Sequence, residues 1–503
     1  MLKRAMMDLR RLWQTKVGNA GYDLFSDEVQ EALRHAQARI DKHRKGDVAL
    51  RLTSSDGRPL TGVSVEIEQL RHAFPFGANT WFVDTARRTG SKASQVFKEQ
   101  TARFAEVFNA SFSQCYWTER AYREAPNCES AQGDATPEAF DCQVNWALSN
   151  GLSAKGHVLY WPVPKAIPSW LLRYDYETRM KFLEVRVRNL VSRYRGRVRQ
   201  WDTVCEHLWE PTLRDTERRV WPHIVPVREI AESIAPVFRW ARQEDPEGVL
   251  VLDDYGIEND NPPKPAVGGE ITATGQRRRM VELAQMLIDR GCPPSAVGSQ
   301  TPTGETGILY TPRQQMAVYD ELTSCGLPLQ LTGYWVKLPK DLLTRTTLEE
   351  ADAIEAEYAN AQLTIAFSHP RVSAIYLWGI LDRWDHYSVR DASRPRRVWA
   401  RLRELIREQW WTRARLVSDD DGRIRFRGFT ATTRHACAFA AVTTGASGLA
   451  TRPTTLEWRD DTGARHGNAG DGGNGRWAMR RSVRKRGASP WLGRLFKETN
   501  YAD

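Results

Sequence analysis

The chain has 503 residues, 41% of them hydrophobic and 27% charged, which exceeds one ordinary domain and leaves ample material for a large core. Its formal charge of +10 is uneven: from Ala431 to Asp503 there are twelve Lys/Arg against six Asp/Glu, so the basic balance says little about what the main body binds. Seven scattered cysteines without CxxC spacing argue against a disulfide scaffold and a zinc site, and no apolar run reaches the ~20 residues of a membrane span.

The N-terminal segment, 1–46, opens with MLKRAMMDLRRLWQTKVG, charged at short intervals and without a signal-peptide apolar stretch. The expected location is cytoplasmic, with secretion open if the true start lies upstream. Residues 24–45 carry the spacing of an amphipathic polar helix. At 47–73 the period changes: VALRLTSSDGRPLTGVSVEIEQ reads as strand, DGRP turn and strand, a β-hairpin. The segment 412–430 repeats that pattern in RARLVSDDDGRIRFRGF, and the two hairpins are expected to build one small accessory β-domain from both flanks of the central region.

Between them, 74–411 alternates short apolar strands with helices of 12–20 residues, the pattern of a parallel α/β fold. Strands are predicted at 74–80, 108–114, 152–161, 198–206, 249–255, 296–300, 329–335 and 372–380. Helices are predicted at 91–107, 137–150, 177–194, 226–243, 275–290, 312–325, 347–368 and 394–411. Eight strands, each followed by a helix, fit a closed (β/α)₈ TIM barrel better than an open sheet. No GxGxxG follows the first strand, so no dinucleotide or other cofactor is expected, and no metal. In such a barrel chemistry gathers where the strands end. There stand Asn79, Gln114, His157, Trp161, Asp202, Cys205, Glu206, Asp253, Asp254, Gln300, Gly333 and Trp378, so a polar, aromatic cleft is implied. The chain also has 19 tryptophans, whose indole faces stack on sugar rings, although large apolar cores use them as well.

Three segments carry a family likeness. Lys155-Gly156-His157-Val158-Leu159-Tyr160-Trp161, followed by Pro168-Ser169-Trp170-Leu171, is the first. Arg199-Gln200-Trp201-Asp202-Thr203-Val204-Cys205-Glu206 is the second, and Val251-Leu252-Asp253-Asp254-Tyr255 is the third. In order and spacing they resemble the third, fourth and fifth strands of glycoside hydrolase family 10, the xylanase family, where Trp-Asp-Val-Val-Asn-Glu and Asn-Asp-Tyr are usual. Weaker likeness extends to 296–300 and 375–379, so the resemblance covers roughly 74–411. It implies retaining hydrolysis of β-1,4-xylan or a related β-glycan by two carboxylates, an acid/base and a nucleophile. The partner it implies is a β-1,4-linked polysaccharide or oligosaccharide, xylan first.

On that resemblance Glu206 holds the acid/base position, where burial against Trp201 and a neighbouring carboxylate would help it keep a proton. His157, Trp161, Cys205, Asp254, Gln300, Trp378 and Asn79 line the sugar. The seventh strand reads Leu331-Thr332-Gly333 where the family reads Ile-Thr-Glu, so Gly333 occupies the place of the nucleophile. Further departures follow: Cys205 for an asparagine, Pro302 and Pro162 for histidines, and 112–117 without the usual Asn-Glu-Met-Lys. Glu305 in the loop after the sixth strand is an alternative carboxylate, but a loop group is a poor substitute for one fixed on a strand. Asp254 and Asp382 are expected to hold neighbouring side chains. Cys205 beside His207 reads as a small buried replacement rather than a reactive thiol. The expected function is xylanase-type hydrolysis, weak or lost. The alternative is a non-catalytic carbohydrate-binding protein using Trp81, Trp161, Trp378 and Trp384.

After Phe429 the patterning fails. Residues 431–503 read as a basic tail of low order, without a groove-reading nucleic-acid motif. A nucleic-acid or acidic partner of that tail is the third, weakest reading, and a frameshift near residue 430 is a further one.

Overall fold

The computed structural model describes residues 2–17, 22–54, 56–118, 128–163, 166–209, 213–214, 224–258, 264–300, 302–303, 309–336, 338–378, 396–429 and 438–444. Eight parallel strands form a closed ring. They are β1 (Phe76–Asn79), β2 (Ala110–Gln114), β3 (Ser153–Tyr160), β4 (Val198–Cys205), β5 (Val249–Tyr255), β6 (Ala296–Gln300), β7 (Leu329–Val336) and β8 (Val372–Leu377). Each pairs with the next, and β8 closes on β1 through Ile375 opposite Phe76. All eight predicted strands are present, ending within a residue or two of the expected positions over the described stretch. The parallel barrel follows from the sequence because these strands are buried on both faces and read as near-continuous apolar runs.

Helices cover the ring: Gln95–Val107, Glu138–Ser149, Tyr176–Tyr194, Val227–Glu244, Ala273–Asp289, Pro312–Leu322, Leu348–Ser368 and Arg397–Glu404. Their starts are written in the sequence. Ser94, Asp175, Thr272, Thr311 and Thr347 each accept a backbone N–H as N-caps, and Thr311 with Gln314 and Thr347 with Glu350 complete capping boxes. Three α-helices were not anticipated, Leu2–Lys16, Trp81–Arg88 and the short Lys340–Thr344. The first has a signal in Leu9, Leu12 and Trp13, spaced for one helical face; Trp13 is fully buried and donates to Tyr22 O at 3.0 Å.

The chain divides into two compact units, one holding the described residues of 1–46 and 71–411, the other those of 47–70, 412–427 and 438–444. In the second unit the two tight turns form as read. Ser54 N donates to Arg58 O at 2.8 Å and Asp419 N to Arg423 O at 2.9 Å. Beyond the turns the expected hairpins do not persist. Ser64–Arg71 pairs antiparallel with Arg413–Val417, and Lys45–Arg51 pairs with Arg423–Phe429. The arms exchange partners because each segment has alternating apolar residues on one face, and Val48, Leu50, Val65, Ile67 and Ile424 share a buried cluster only in that arrangement. Within the tail expected to lack order, Ala438–Thr444 forms a strand beside Ser64–Arg71; the rest of 431–503 lies outside the described residues. No described helix is long and apolar enough to cross a membrane.

Arg44 ties the helix Asp27–His43 to the far end of the chain's barrel. Its guanidinium donates to Phe367 O at 2.7 Å and to His369 O and Val372 O at 2.6 Å, and lies 4.8 Å over the Phe74 ring. Burial pulls its pKa down to about 10, still protonated at neutral pH. Arg44→Met leaves buried carbonyls at a helix C-terminus without donors, so urea unfolding is expected to show a loss of about 3 kcal/mol.

Candidate active site

Strand periodicity decides which side chains reach the cleft. The rings of Phe112 and Tyr376 pack edge-to-face in the barrel interior, so Gln114, two residues beyond Phe112, lies on the same face of β2. Asn79 likewise follows Gly77, whose Cβ direction points at Tyr376. His157 sits opposite Gln114 in the β2–β3 register, with Phe112, Tyr116 and Trp378 edge-on around its ring. Trp378 ends β8, stacked on Phe112 with centroids 5.6 Å apart and edge-on to Trp81 at 4.9 Å. Trp81 and Trp378 thus meet at the strand ends, and Trp161 packs against Tyr116, while Trp384, Asp382 and Glu305 lie outside the described residues.

Glu206 stands just past β4 with φ 63°, the only described non-glycine residue in the left-handed region. That conformation is costly for a side-chain-bearing residue and persists only where the surroundings hold it. They do: Glu206 N donates to Asp253 O at 3.0 Å, and Leu208 N donates to Asp254 Oδ2 at 2.9 Å. The half-buried carboxylate accepts the indole N–H of Trp161 at 2.7 Å. Trp161 thus takes the part expected of Trp201. Trp201 faces the opposite side of β4, against Phe140, Tyr194 and Gly156, because it precedes the inward-facing Asp202 by one residue.

Asp254 also departs from expectation. Both its oxygens accept backbone amides, from Leu208 and from Tyr255 at 2.8 Å, and it is buried, so it shapes the turn that carries Glu206 rather than lining the sugar. Burial pushes its carboxyl well above the usual range, against the pull of the Leu208 amide.

Beneath the cleft lies a buried charge network that sequence reasoning missed. Lys155 Nζ is 2.7 Å from Asp202 Oδ1, both residues only 1% exposed, and His157 Nδ1 is 2.9 Å from Asp202 Oδ2. A lysine inside the apolar run SAKGHVLYW was the available signal, since a buried ammonium demands a counter-charge. Burial alone would raise Asp202, but the Lys155 ammonium and His157 outweigh it and hold its carboxyl below the ordinary value. Asp253 is the opposite case: burial, then the charge of Asp202, push its pKa up to about 6. Asp253 Oδ2 accepts from Gln300 Nε2 at 2.9 Å and from the Cys205 thiol at 3.3 Å, and Oδ1 accepts from the Thr332 hydroxyl. His157, Asp202 and Asp253 have ligand atoms close enough to hold a cation, but Lys155 already supplies the positive charge there.

Cys205 is fully buried, and burial followed by the charge of Asp253 pushes its thiol well above the usual range. His207 is lowered to about 3 by burial, with Nδ1 at 3.0 Å from Cys205 O, so no thiolate–imidazolium pair forms. Gln300 links the two halves of the site. Its Nε2 is 3.1 Å from Cys205 Sγ, the residue before Glu206, and a Cβ built on Gly333 would lie 3.6 Å from its own Cβ and Cγ. Gly333 sits where the β7–β8 register shifts, between Leu331 and Tyr334. No carboxylate stands at that position.

Because Asp253 ionises at 3.8 unfolded and about 6 folded, the folded state holds its proton more tightly. Its contribution to stability is present below about pH 4 and is lost as pH rises through 6, a span worth about 3 kcal/mol. Unfolding titrations from pH 3 to 7 should therefore show stability falling mainly between about pH 4 and 6, and Asp253→Asn should flatten that slope; an unchanged slope in the variant would place the titrating group elsewhere.

The chain matches the family model Glycosyl hydrolase family 10 over residues 80–395, well over half its length. It is 24% identical over 428 residues to endo-1,4-beta-xylanase 1 of Arabidopsis thaliana, covering 82% of this chain and 38% of the relative. It is 26% identical over 405 residues to the anti-sigma-I factor RsgI6 of Acetivibrio thermocellus, covering 79% and 46%. The chain thus spans less than half the length of these relatives. Among solved structures, xylanase 10B of Thermotoga petrophila aligns with a TM-score of 0.51 at 18% identity, covering 67% of this chain and 94% of that one. Xylanase 10B of Thermotoga maritima aligns with a TM-score of 0.50, also at 18% identity, over 67% and 95%. The barrel, the order of its strand-end residues and the match over 80–395 together make this chain a member of glycosyl hydrolase family 10.

Proposed function

We propose that the chain is a xylanase-type glycoside hydrolase by descent that binds a β-1,4-xylo-oligosaccharide and cleaves it weakly or not at all. The observation that carries this is an asymmetry between two strand ends. Glu206 is fixed by its backbone and by Trp161, as an acid that protonates a leaving oxygen must be. Gly333, at the family's nucleophile position, has no side chain to attack with. In a retaining mechanism the two carboxyl groups stand about 5–5.5 Å apart, and the second forms the covalent glycosyl intermediate. Without it the first half-reaction has an acid and no acceptor.

The remaining cleft suits recognition. Trp378, only half-buried and edge-on to the buried Trp81, has an indole face suited to a sugar ring, and the polar groups of His157, Gln300 and Asn79 lie at the same strand ends. A second reading, glycan binding without turnover, has the same support.

The decisive experiment compares initial rates on an aryl β-xylobioside for the chain and for Gly333→Glu. The glycine leaves ordinary van der Waals room for a Cβ, so the variant should fold and gain at least about a thousandfold, if the register is right. Equal activity in both would move the nucleophile elsewhere; silence in both, with binding intact, would put the binding reading first. Trp378→Ala should weaken xylotetraose binding by about 1–2 kcal/mol in calorimetry, through loss of a stacking face.

A further inference from the structure

Strand alternation divides β6 between two surroundings. A Cβ on Gly298 would fall 2.5 Å from Asp253 Oδ1, so Gly298 faces the barrel interior, and Gln300, two residues on, faces it too. Ser299 between them points outward and is fully buried there, its hydroxyl donating to Glu258 Oε2 at 3.0 Å. Glu258 follows β5 by three residues and is only 3% exposed. A carboxylate is tolerated in such a place only when its oxygens are bonded. This one is bonded from a second side. The Tyr319 hydroxyl accepts Gln315 Nε2 at 2.7 Å, which leaves its own proton to give to Glu258. Burial first, and then the charge of Glu258, hold that proton well above its ordinary range. Gln315 Nε2 also donates to Gln362 O at 2.9 Å, so the carboxylate is anchored to the helices Pro312–Leu322 and Leu348–Ser368.

The anchor meets β6 where the sheet begins to let go of it. Among the described residues Ser299 is the last with partners in both neighbouring strands, Asp254 and Leu331, whereas Gln300 pairs with Tyr255 alone. Gln300 nevertheless has the most demanding placement on the strand. Its Nε2 reaches Asp253 Oδ2 at 2.9 Å and Cys205 Sγ at 3.1 Å, beside Glu206, and its Cβ and Cγ are the atoms nearest to a side chain at position 333. With Nε2 committed to Asp253, Oε1 is the end of the amide turned away from it, an acceptor for a sugar hydroxyl.

We propose that Glu258, acting through Ser299, is a positioning residue for Gln300 in glycan binding. The inference rests on the reading that a β-1,4-xylo-oligosaccharide occupies the cleft and meets the Gln300 amide. Glu258 touches no sugar. It holds the last doubly paired residue of β6 from outside the barrel, and so fixes where the next residue turns its amide inside it. A polar group whose supports hold it to within about 0.5 Å binds where a loosely held one does not.

The test is a double-mutant cycle on the full chain, with xylotetraose affinity read by calorimetry and folding by thermal melting. Glu258→Ala and Ser299→Ala should each weaken xylotetraose about three- to tenfold, as loss of one well-placed hydrogen bond does. Glu258→Gln, which keeps an acceptor for the Ser299 hydroxyl, should retain most of the affinity. In a Gln300→Ala background neither alanine substitution should weaken binding further, because the residue through which they act is gone. Equal losses in both backgrounds would overturn the proposal, since they mean a general loosening of the barrel. So would undiminished affinity in Ser299→Ala, the variant that leaves the Glu258–Tyr319 bond in place and still decides the matter if Glu258→Ala does not fold. Neither of those results touches the glycan-binding reading. No binding of xylotetraose by the unaltered chain would overturn that reading and this inference with it.

Discussion

Lys155 and Asp202 set the terms for everything above them in the barrel. Two opposite charges 2.7 Å apart, each 1% exposed, have given up nearly all their hydration, and each is tolerable only because the other is present. Removing either partner of such a pair typically costs 3–5 kcal/mol, because the survivor is left charged and dry. The pair also gives direction to its neighbours. The second oxygen of Asp202 holds Nδ1 of His157 and so fixes the ring that Phe112, Tyr116 and Trp378 enclose. The same negative charge adds to burial in raising Asp253 to about 6, while Gln300, Cys205 and Thr332 donate toward that carboxyl and the Thr332 bond pulls its pKa the other way. A floor of side chains with settled orientations results, on which a sugar can lie.

The departures from the family pattern are distributed in a way that physics explains. Below the strand ends the barrel is closely packed: the glycines at 77, 156 and 298 are sterically obligatory, and two of the helices start in complete capping boxes. The changed residues, Gly333, Cys205 and Pro162, stand at the C-terminal ends of strands or just beyond. Residues there are selected by chemistry, and their loss costs the fold little. Cys205 shows how such a site settles. It is buried, its thiol is held protonated, and it donates to Asp253. It fills space and satisfies a neighbour without offering a sugar hydroxyl the two-sided contact of an amide.

Much of this was legible in the chain. Eight apolar runs separated by capped helical segments specify a closed parallel barrel, and the order of strand-end residues brought His157, Glu206, Gln300, Gly333 and Trp378 to one end before any distance was known. What was not legible depends on facing and pairing. Trp201 and Trp161 are both near Glu206 in the strand pattern, and only the hydrogen bond from the Trp161 indole shows which one meets it. The exchange of partners between the two β-segments was hidden for a related reason: alternation marks which face of a strand is apolar and is silent about which strand lies beside it. Lys155 could have been found, because an ammonium in an apolar run needs a buried anion. Asp254 could not, because nothing in the sequence distinguishes a carboxylate that binds sugar from one whose oxygens are both taken by backbone amides.

A catalytic pair is also an electrostatic pair, and losing one member alters the other. In the intact arrangement the nucleophile's negative charge favours a proton on the acid, while a donated hydrogen bond favours the ionised form. At Glu206 the donated bond is present, from Trp161, and the charge from position 333 is absent. What remains close is Asp254, whose own carboxyl is raised in part by Glu206, with burial the larger cause. A carboxyl raised in this way keeps its proton, so Asp254 does not replace the charge missing at position 333. Because Asp254 is held by two backbone amides rather than by substrate, its placement does not depend on what occupies the cleft. The acid half of the machinery thus keeps its placement independently of the nucleophile. Loss of hydrolysis and survival of an organised sugar site can accordingly coexist in one molecule.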